Sequence, residues 1–419
     1  MKLYKILNGL SHPTYEVNGR HYQWGLDGIT HFLAFIGNPH KKYPIIHITG
    51  TNGKGTVGAM ISSALINLGY NVGSYNSPHI SSYYERIRFN GIPITQNFTN
   101  EFYLIYLNYI TLFPNKIKSY SEVLVALAFW YFAKVKCDLA VIEVGIGGEL
   151  DPTNVSCKKI LTVLTSIGFA HTELFGRDIR CIIKSKVGIC RPYVPLVLGA
   201  IEEKYLHYIT EYLPDSVPAI YCSNHSLSEF NDINSNLCDF KGPYLSENLL
   251  TAIVSLHQLS YILDYDIIDH RIYKGLYNAK KIMGHYGRYE ILSSTPYVVS
   301  DVCSNEFGLK VIIKQLYNLA QKSSKRFVLI IGISSIRKQD IISLIPSDAL
   351  VFFTEEKGFI TAKDMMELTN NKGVVTKNVE DAIHRYLEIS TNNDIVFIGG
   401  SYWIGVEAFK HKHLFVCHI

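Results

Sequence analysis

The sequence has little of what marks a secreted, membrane-spanning or nucleic-acid-binding chain. Its eight cysteines, at 137, 157, 181, 190, 222, 238, 303 and 417, are scattered, with no C-x-x-C pair. That pattern excludes a zinc-finger or disulfide framework and points to a reducing compartment. Neither sign of charge dominates: 40 basic residues face 36 acidic ones, a net charge of +4, and no basic run stands out, which argues against nucleic acid as a partner. The opening MKLYKILNGLSHPTY holds no apolar core of signal-peptide length. The longest uncharged apolar run, 123–133, is too short to span a bilayer. A cytoplasmic protein with no membrane partner is therefore expected. There is no internal repeat and no low-complexity segment. Tyrosine is abundant at 29 residues, which reads as compositional drift towards AT-rich codons and not as a binding signature.

What is present is an ordinary globular composition, 47% hydrophobic and 18% charged, over 419 residues, enough for two or three domains. The stretch IIHITGTNGKGTVGAMISSALINL, 45–68, organises the rest. Ile45, Ile46 and Ile48 predict a buried strand. Gly50, Thr51, Asn52, Gly53, Lys54, Gly55 and Thr56 form a glycine-rich turn, and Val57, Met60, Ile61, Ala64, Leu65 and Leu68 fall at helical spacing. Strand, glycine turn and helix together make a phosphate-binding device. The backbone N–H groups surround oxygens, the helix N-terminus adds a positive field, Lys54 supplies charge, and the Thr56 hydroxyl is placed to meet Mg²⁺. The common form is G-x-x-x-x-G-K-[ST]; here Gly55 stands between Lys54 and Thr56.

Strands are expected at 69–75, 138–144, 160–167 and 193–198, with a short strand and turn over 85–91. Helices are expected at 26–36, at 121–136 with Ser121 as its cap, and from Asp178 onward, carrying Lys184 and Lys186. The stretch 200–247 is polar and irregular, a helix covers 248–263, and 284–288 (GHYGR) reads as a linker or tight turn. After it the alternation restarts, with strands at 298–303, 327–333, 349–354 and 395–398 and helices at 309–320, 362–369 and 379–389. The fold class is α/β: a mostly parallel sheet in a phosphate-loop domain, 1–286, followed by a smaller Rossmann-like domain, 287–419, with a cleft expected between them. In such sheets ligands collect at the carboxyl ends of strands. The 50–56 loop, Ser77, Glu143 and His171 all follow or end strands, so they are expected to converge although the chain separates them widely.

Glu143 ends an otherwise apolar strand, where a carboxylate is costly unless it is paired or bound to metal. Beside a Lys/Thr phosphate loop, Mg²⁺ ligation is the stronger reading, and a salt bridge to a neighbouring lysine the plainer one. Taken singly, His171 reads as a surface histidine, Lys186 as a solvated helix charge, Ser77 as part of a turn and Asp151 as a turn residue or cap.

Taken together, GTNGKGT, SPH with ERIRFNG, IEVGIGGELDPTN, and SIGFAHTELFG with KVGI resemble the folylpolyglutamate synthase/dihydrofolate synthase family of the Mur ligase superfamily. The resemblance continues at lower fidelity through 242–248, Gly287-Arg288, 301–305 and Gly399-Gly400-Ser401, and so covers nearly the whole chain. It implies an ATP-dependent ligase that joins L-glutamate to dihydropteroate, to reduced folates or to both, through an acyl phosphate. By position, the loop 50–56 would hold the ATP phosphates, and Asn248, Arg288 and Asp301 would complete the nucleotide site. Ser77, Glu143, His171 and a carbamylated Lys186 would hold two Mg²⁺ ions, with Lys54, Lys186 and His171 acting in catalysis. Asp151, with Ser119 and Ser121, would line the pterin pocket. Domain closure would bring Asp301 over the nucleotide. The family is usually monomeric, so a monomer is expected.

Several positions depart from the family pattern. Ala170 stands where an Asp usually precedes the metal histidine, and Tyr244-Leu245 replaces His-Gln. Ser304 replaces a His, the segment 119–122 reads Ser-Tyr-Ser-Glu in place of Thr-Tyr-Phe-Glu, and Gly28 replaces an Arg. These departures support the alternative of a catalytically impaired nucleotide- or folate-binding relative. A Mur-type ligase for another carboxylate is a further alternative, although the 49 residues before Gly50 leave no room for the nucleotide-sugar domain of cell-wall ligases.

Overall fold

The computed structural model describes residues 2–10, 25–114, 116, 119–230, 233–267, 269–335, 341–369 and 373–415. The chain divides into two compact units. The first comprises Met1–Ile167, Phe175–Asp239 and Ser246–His285; the second comprises Gly168–Leu174, Phe240–Leu245 and Tyr286–Ile419.

The first unit holds an eight-stranded sheet. Its strands are β1 (Ile45–Thr49), β2 (Val72–Tyr75), β3 (Ile87–Phe89), β4 (Ile92–Pro93), β5 (Leu139–Glu143), β6 (Lys159–Ser166), β7 (Leu196–Ala200) and β8 (Ala219–Tyr221). The spatial order is β4-β3-β2-β5-β1-β6-β7-β8. In the spatial order every neighbouring pair from β2 to β8 is parallel; β3 alone runs against the rest, antiparallel to both β2 and β4. Parallel strands covered on both faces read as unbroken apolar runs, and β1 and β5 are buried at every position. Because β2, β5, β1 and β6 are consecutive in the sheet, the loop at 76–79, Glu143 and the phosphate loop leave the same edge side by side. Of the four strand-end groups expected to converge, these three lie together in the first unit; His171 falls in the second.

The phosphate-loop helix, Lys54–Leu68, is buried almost all round, including Ser62 and Ser63, and is more central than a single apolar stripe implies. The helix expected at 121–136 is Tyr120–Lys134, and its cap is Ser119, not Ser121. Ser119 has the extended backbone of a cap, and its hydroxyl accepts from Glu122 N while the Glu122 carboxylate returns to Ser119 N. The strand expected at 193–198 begins only at Leu196, after a turn with Tyr193 at φ 64°. The stretch 200–247 contains a helix, Leu206–Tyr212, as well as β8.

The second unit has a six-stranded sheet of β9 (Glu290–Ser294), β10 (Tyr297–Ser300), β11 (Arg326–Ile331), β12 (Leu350–Phe353), β13 (Val374–Val375) and β14 (Asp394–Gly399). The order is β13-β12-β11-β14-β10-β9, parallel except for the β9–β10 hairpin. One face packs on the helix Glu306–Lys322, through Leu309, Ile312, Ile313 and Leu316. The other packs on Val379–Leu387 and Tyr402–Lys410, through Ile383, Tyr386 and Ile404. The seven cysteines among the described residues are all free. No helix among the described residues is long and apolar enough to cross a membrane.

Candidate active site

The phosphate loop is shaped by what crowds it. Gly53 sits at φ 84°, and a Cβ there would lie 2.3 Å from Asn248 Oδ1, so the Asn248 side chain rests directly on the loop. Gly55 has no room for a side chain: a Cβ would stand 2.6 Å from the His285 ring and 3.3 Å from Glu143 Oε2. The glycine that interrupts the common motif is thus where the helix start, Glu143 and His285 come together.

Two lysines converge on the loop backbone. Lys54 Nζ donates to the carbonyls of Gly50 (3.1 Å) and Thr51 (3.3 Å). Lys186, carried on the helix Ile179–Val187, is 6% exposed, and its Nζ donates to the same Gly50 carbonyl at 2.7 Å. Burial, and then the neighbouring Lys54 charge, hold the Lys186 amine well below the usual lysine range, favouring the neutral form. Lys186 is therefore not a solvated helix charge.

Glu143, 5% exposed, accepts at Oε2 from Ser77 N (3.1 Å). Ser77 precedes a cis peptide to Pro78, and its hydroxyl lies 3.9 Å from where a Gly145 Cβ would stand. The side-chain amide of Asn76 is paired with His285 Nδ1 at 2.9 Å. Glu143 and Ser77 offer hard oxygen donors beside a phosphate loop, a donor set suited to Mg²⁺. Among the described residues no group of three or more His, Cys, Asp and Glu side chains could hold a metal by itself.

His171 belongs to the second unit. It takes φ 54°, and its Nδ1 lies 3.3 Å from Glu173 Oε1. The orienting carboxylate that Ala170 cannot supply is therefore available from two residues downstream. Arg288 and Asp301 are also in the second unit. Asp301, 2% exposed, accepts from Tyr289 N (2.7 Å), Cys303 N (2.6 Å) and the Tyr244 hydroxyl. Burial raises its pKa, while Arg288 and these donors pull the other way. Tyr244, one of the departures from the family pattern, is thus a partner of Asp301.

Asp151 is buried, with both carboxylate oxygens engaged by the protein itself. It accepts from Gly145 N (3.1 Å), Ile146 N (3.0 Å), Thr153 N (3.0 Å) and Thr153 Oγ1 (2.5 Å). Ser119 is spent on its helix cap, and Ser121 lies one residue inside the helix.

Sequence reasoning missed the residues behind this layer. Asn154 Nδ2 ties the carbonyl of Glu149 to that of Gly188, and its Oδ1 accepts from Lys159 (2.7 Å) and Arg191 (2.9 Å). Lys159 and Arg191 also donate to the Ile189, Gly188 and Cys190 carbonyls that follow the Lys186 helix. Burial pushes the Lys159 amine down to about 7. For Lys159 the signal was available: a lysine opening the otherwise uncharged strand KILTVLTS.

No protein-family model matches the chain. A curated relative, dihydrofolate synthase/folylpolyglutamate synthase of Bacillus subtilis, is 30% identical over 331 residues, covering 72% of this chain and 73% of its own. The chain belongs to the dihydrofolate synthase/folylpolyglutamate synthase family. Members of this family are ATP-dependent ligases of L-glutamate. The fold is that of the Escherichia coli FolC structure in complex with DHPP and ADP, with TM-score 0.80, 22% identity, and 98% of this chain and 96% of that one covered. It is also that of a bifunctional folylpolyglutamate synthase/dihydrofolate synthase structure with Mn, AMPPNP and L-glutamate bound, with TM-score 0.77, 22% identity and coverage of 94% and 95%.

Proposed function

We propose that the protein is an ATP-dependent ligase that joins L-glutamate to dihydropteroate, to reduced folates, or to both. The observation that carries this reading is the meeting of Lys54, Lys186, Glu143 and Ser77 around one phosphate loop at one sheet edge. The first unit is the ATP-binding part and the second the glutamate-ligase part. Residues 50–56 and Asn248 take the nucleotide, together with Arg288 and Asp301 of the second unit. The substrates are small molecules, and the working form is a cytoplasmic monomer.

A carboxylate is a poor electrophile. One of its oxygens attacks the γ-phosphorus of ATP, the P–O bond to ADP breaks, and an acyl phosphate results. The amino nitrogen of L-glutamate then attacks the acyl carbon, inorganic phosphate leaves, and the nitrogen gives up a proton. Lys54 stabilises charge on the transferring phosphoryl group. Glu143, Ser77, His171 and a carbamylated Lys186 would hold divalent cations, whose charge would offset the repulsion between carboxylate and γ-phosphate. Mg²⁺ is the expected ion, with two per site. The Lys186 carbamate forms when the neutral Nζ lone pair attacks CO₂ and the nitrogen loses a proton; the lowered pKa of this amine supports that chemistry. Asp151 serves the pterin side by holding the loop at 145–148, its carboxylate being filled by protein donors.

The test is product formation by purified protein with ATP, Mg²⁺, L-glutamate and either dihydropteroate or tetrahydrofolate. A glutamyl amide with at least one acceptor, dependent on ATP, is expected. ATP binding without amide from either acceptor would overturn the reading.

A further inference from the structure

His47 lies at the middle of β1, three residues before the phosphate loop, and is 0% exposed. Its Nε2 is 2.9 Å from Thr153 Oγ1. The Thr153 hydroxyl in turn donates to Asp151 Oδ1. A hydroxyl has one proton, so once Thr153 has given it to Asp151 its oxygen can only accept from the imidazole. The ring is therefore the Nε2–H tautomer. Burial, with Lys159 and Arg191 nearby, keeps it neutral. Its Nδ1 is buried and has no hydrogen-bond partner among the described residues. An apolar side chain would fill this position without burying an unmatched nitrogen. The direction of the Nε2–H bond is what distinguishes histidine here.

The chain of bonds ends on the loop that follows Glu143. Asp151 accepts from Gly145 N and Ile146 N, and a Cβ on Gly145 would lie 3.2 Å from Asp151 Oδ2. Two residues along β1 from His47, Thr49 Oγ1 donates to Gly147 O at 2.7 Å. The strand that feeds the phosphate loop thus grips the loop at 145–148 at two points, one direct and one relayed through Thr153 and Asp151.

We propose that His47 is a positioning residue for the carboxylate-bearing substrate, acting through Thr153 and Asp151 on the loop at 145–148. The inference rests on the ligase reading above. In that reading the phosphate loop places ATP and the 145–148 loop borders the acceptor, so His47 sets the register between donor and acceptor. Its loss removes the one donor that fixes the Thr153 oxygen from the β1 side, so Thr153 is tied to Asp151 alone and the loop beside Ser77 loosens. The phosphate loop, held by its own bonds to Thr165 and Ser166, is untouched.

The experiment compares wild type with His47→Leu, His47→Gln and Thr153→Val, reading KM separately for the pteroate or folate acceptor and for ATP. Glutamine can place an amide N–H where Nε2–H stands; leucine and valine cannot. His47→Leu and Thr153→Val are each expected to raise the acceptor KM about tenfold, and the double variant no further. The ATP KM stays within about twofold, and His47→Gln recovers most of the loss. An unchanged acceptor KM in both single variants overturns the proposal, as does a parallel rise of both KM values, which marks a merely structural role. Should His47→Leu fail to fold, Thr153→Val breaks the same relay outside the strand. Imidazole ¹⁵N shifts of wild type give a second readout: an Nδ1–H tautomer overturns the relay. A wild type that makes no amide from any acceptor overturns the ligase reading instead, while the tautomer is still read.

Discussion

Lys186 behaves unlike a helix-surface lysine. Its amine is buried, shares the Gly50 carbonyl with Lys54 and is held towards the neutral form. Neutrality matters because only an amine with a free lone pair combines with CO₂. Turnover in Lys54→Ala and in Lys186→Ala is expected to fall at least roughly a hundredfold. The two should differ in rescue: acetate, a small carboxylate that can occupy the place of a carbamate, restores part of the activity of Lys186→Ala and none to Lys54→Ala. Incorporation of ¹³C from labelled bicarbonate at Lys186 checks the chemistry directly, and full activity in Lys186→Ala refutes it. Single residues were the least legible part of the sequence. Lys186 and Ser77 each look like surface or turn residues alone, because their partners, Gly50 and Glu143, lie far off in the chain, whereas Asp151 is filled by donors of its own loop. The extra glycine at 55 had no local reason; the reason is the His285 ring, brought in from 230 residues downstream.

The elements were read more easily than their ends. The fully buried parallel strands and the phosphate-loop helix announce themselves as apolar runs, whereas caps depend on which of two nearby serines takes the extended backbone. In SYSE both Ser119 and Ser121 are eligible, but only Ser119 has Glu three positions on, and it forms the reciprocal cap. Ser119→Ala is expected to lower stability by about 1 kcal/mol, read from the urea midpoint, and Ser121→Ala by less than about 0.5 kcal/mol. Equal effects would contradict the assignment. Gly55→Ala tests the crowding at the phosphate loop. Its Cβ must displace the His285 ring and approach Glu143, so ATP affinity is expected to fall at least roughly tenfold, measured by nucleotide titration. Wild-type affinity would show that the loop has room to spare. The 200–247 stretch hid a helix and a strand because both are short and only partly buried, leaving little hydrophobic period to see.

At the scale of the molecule, burial of histidines sets the response to acid. Burial lowers His40 to about 4 and, with Arg86 beside it, His79 to about 3; it also holds His47 far below the ordinary value of 6.5. The unfolded chain therefore takes up protons below pH 6.5 that the native state refuses. The stability these groups contribute is present above pH 6.5 and is lost as pH falls towards 4 and then 3. Urea midpoints should decline steadily from pH 6.5 to 4, and His40→Gln should decline less steeply. A slope identical to wild type would contradict the burial argument. The two-unit α/β plan and the strand-end convergence in the first unit followed from the order of apolar runs alone. The nucleotide and ligase roles needed the motifs, and the positioning relay needed coordinates, since no spacing rule links 47 to 153.

The central claim is that ATP serves to turn a carboxylate into an acyl phosphate. The most direct measurement follows oxygen from dihydropteroate or tetrahydrofolate labelled with ¹⁸O in the reacting carboxylate, incubated with protein, ATP and L-glutamate. One ¹⁸O per amide formed should appear in inorganic phosphate, with ADP as the other product. Amide formation with unlabelled phosphate, or with label in AMP, would contradict the account.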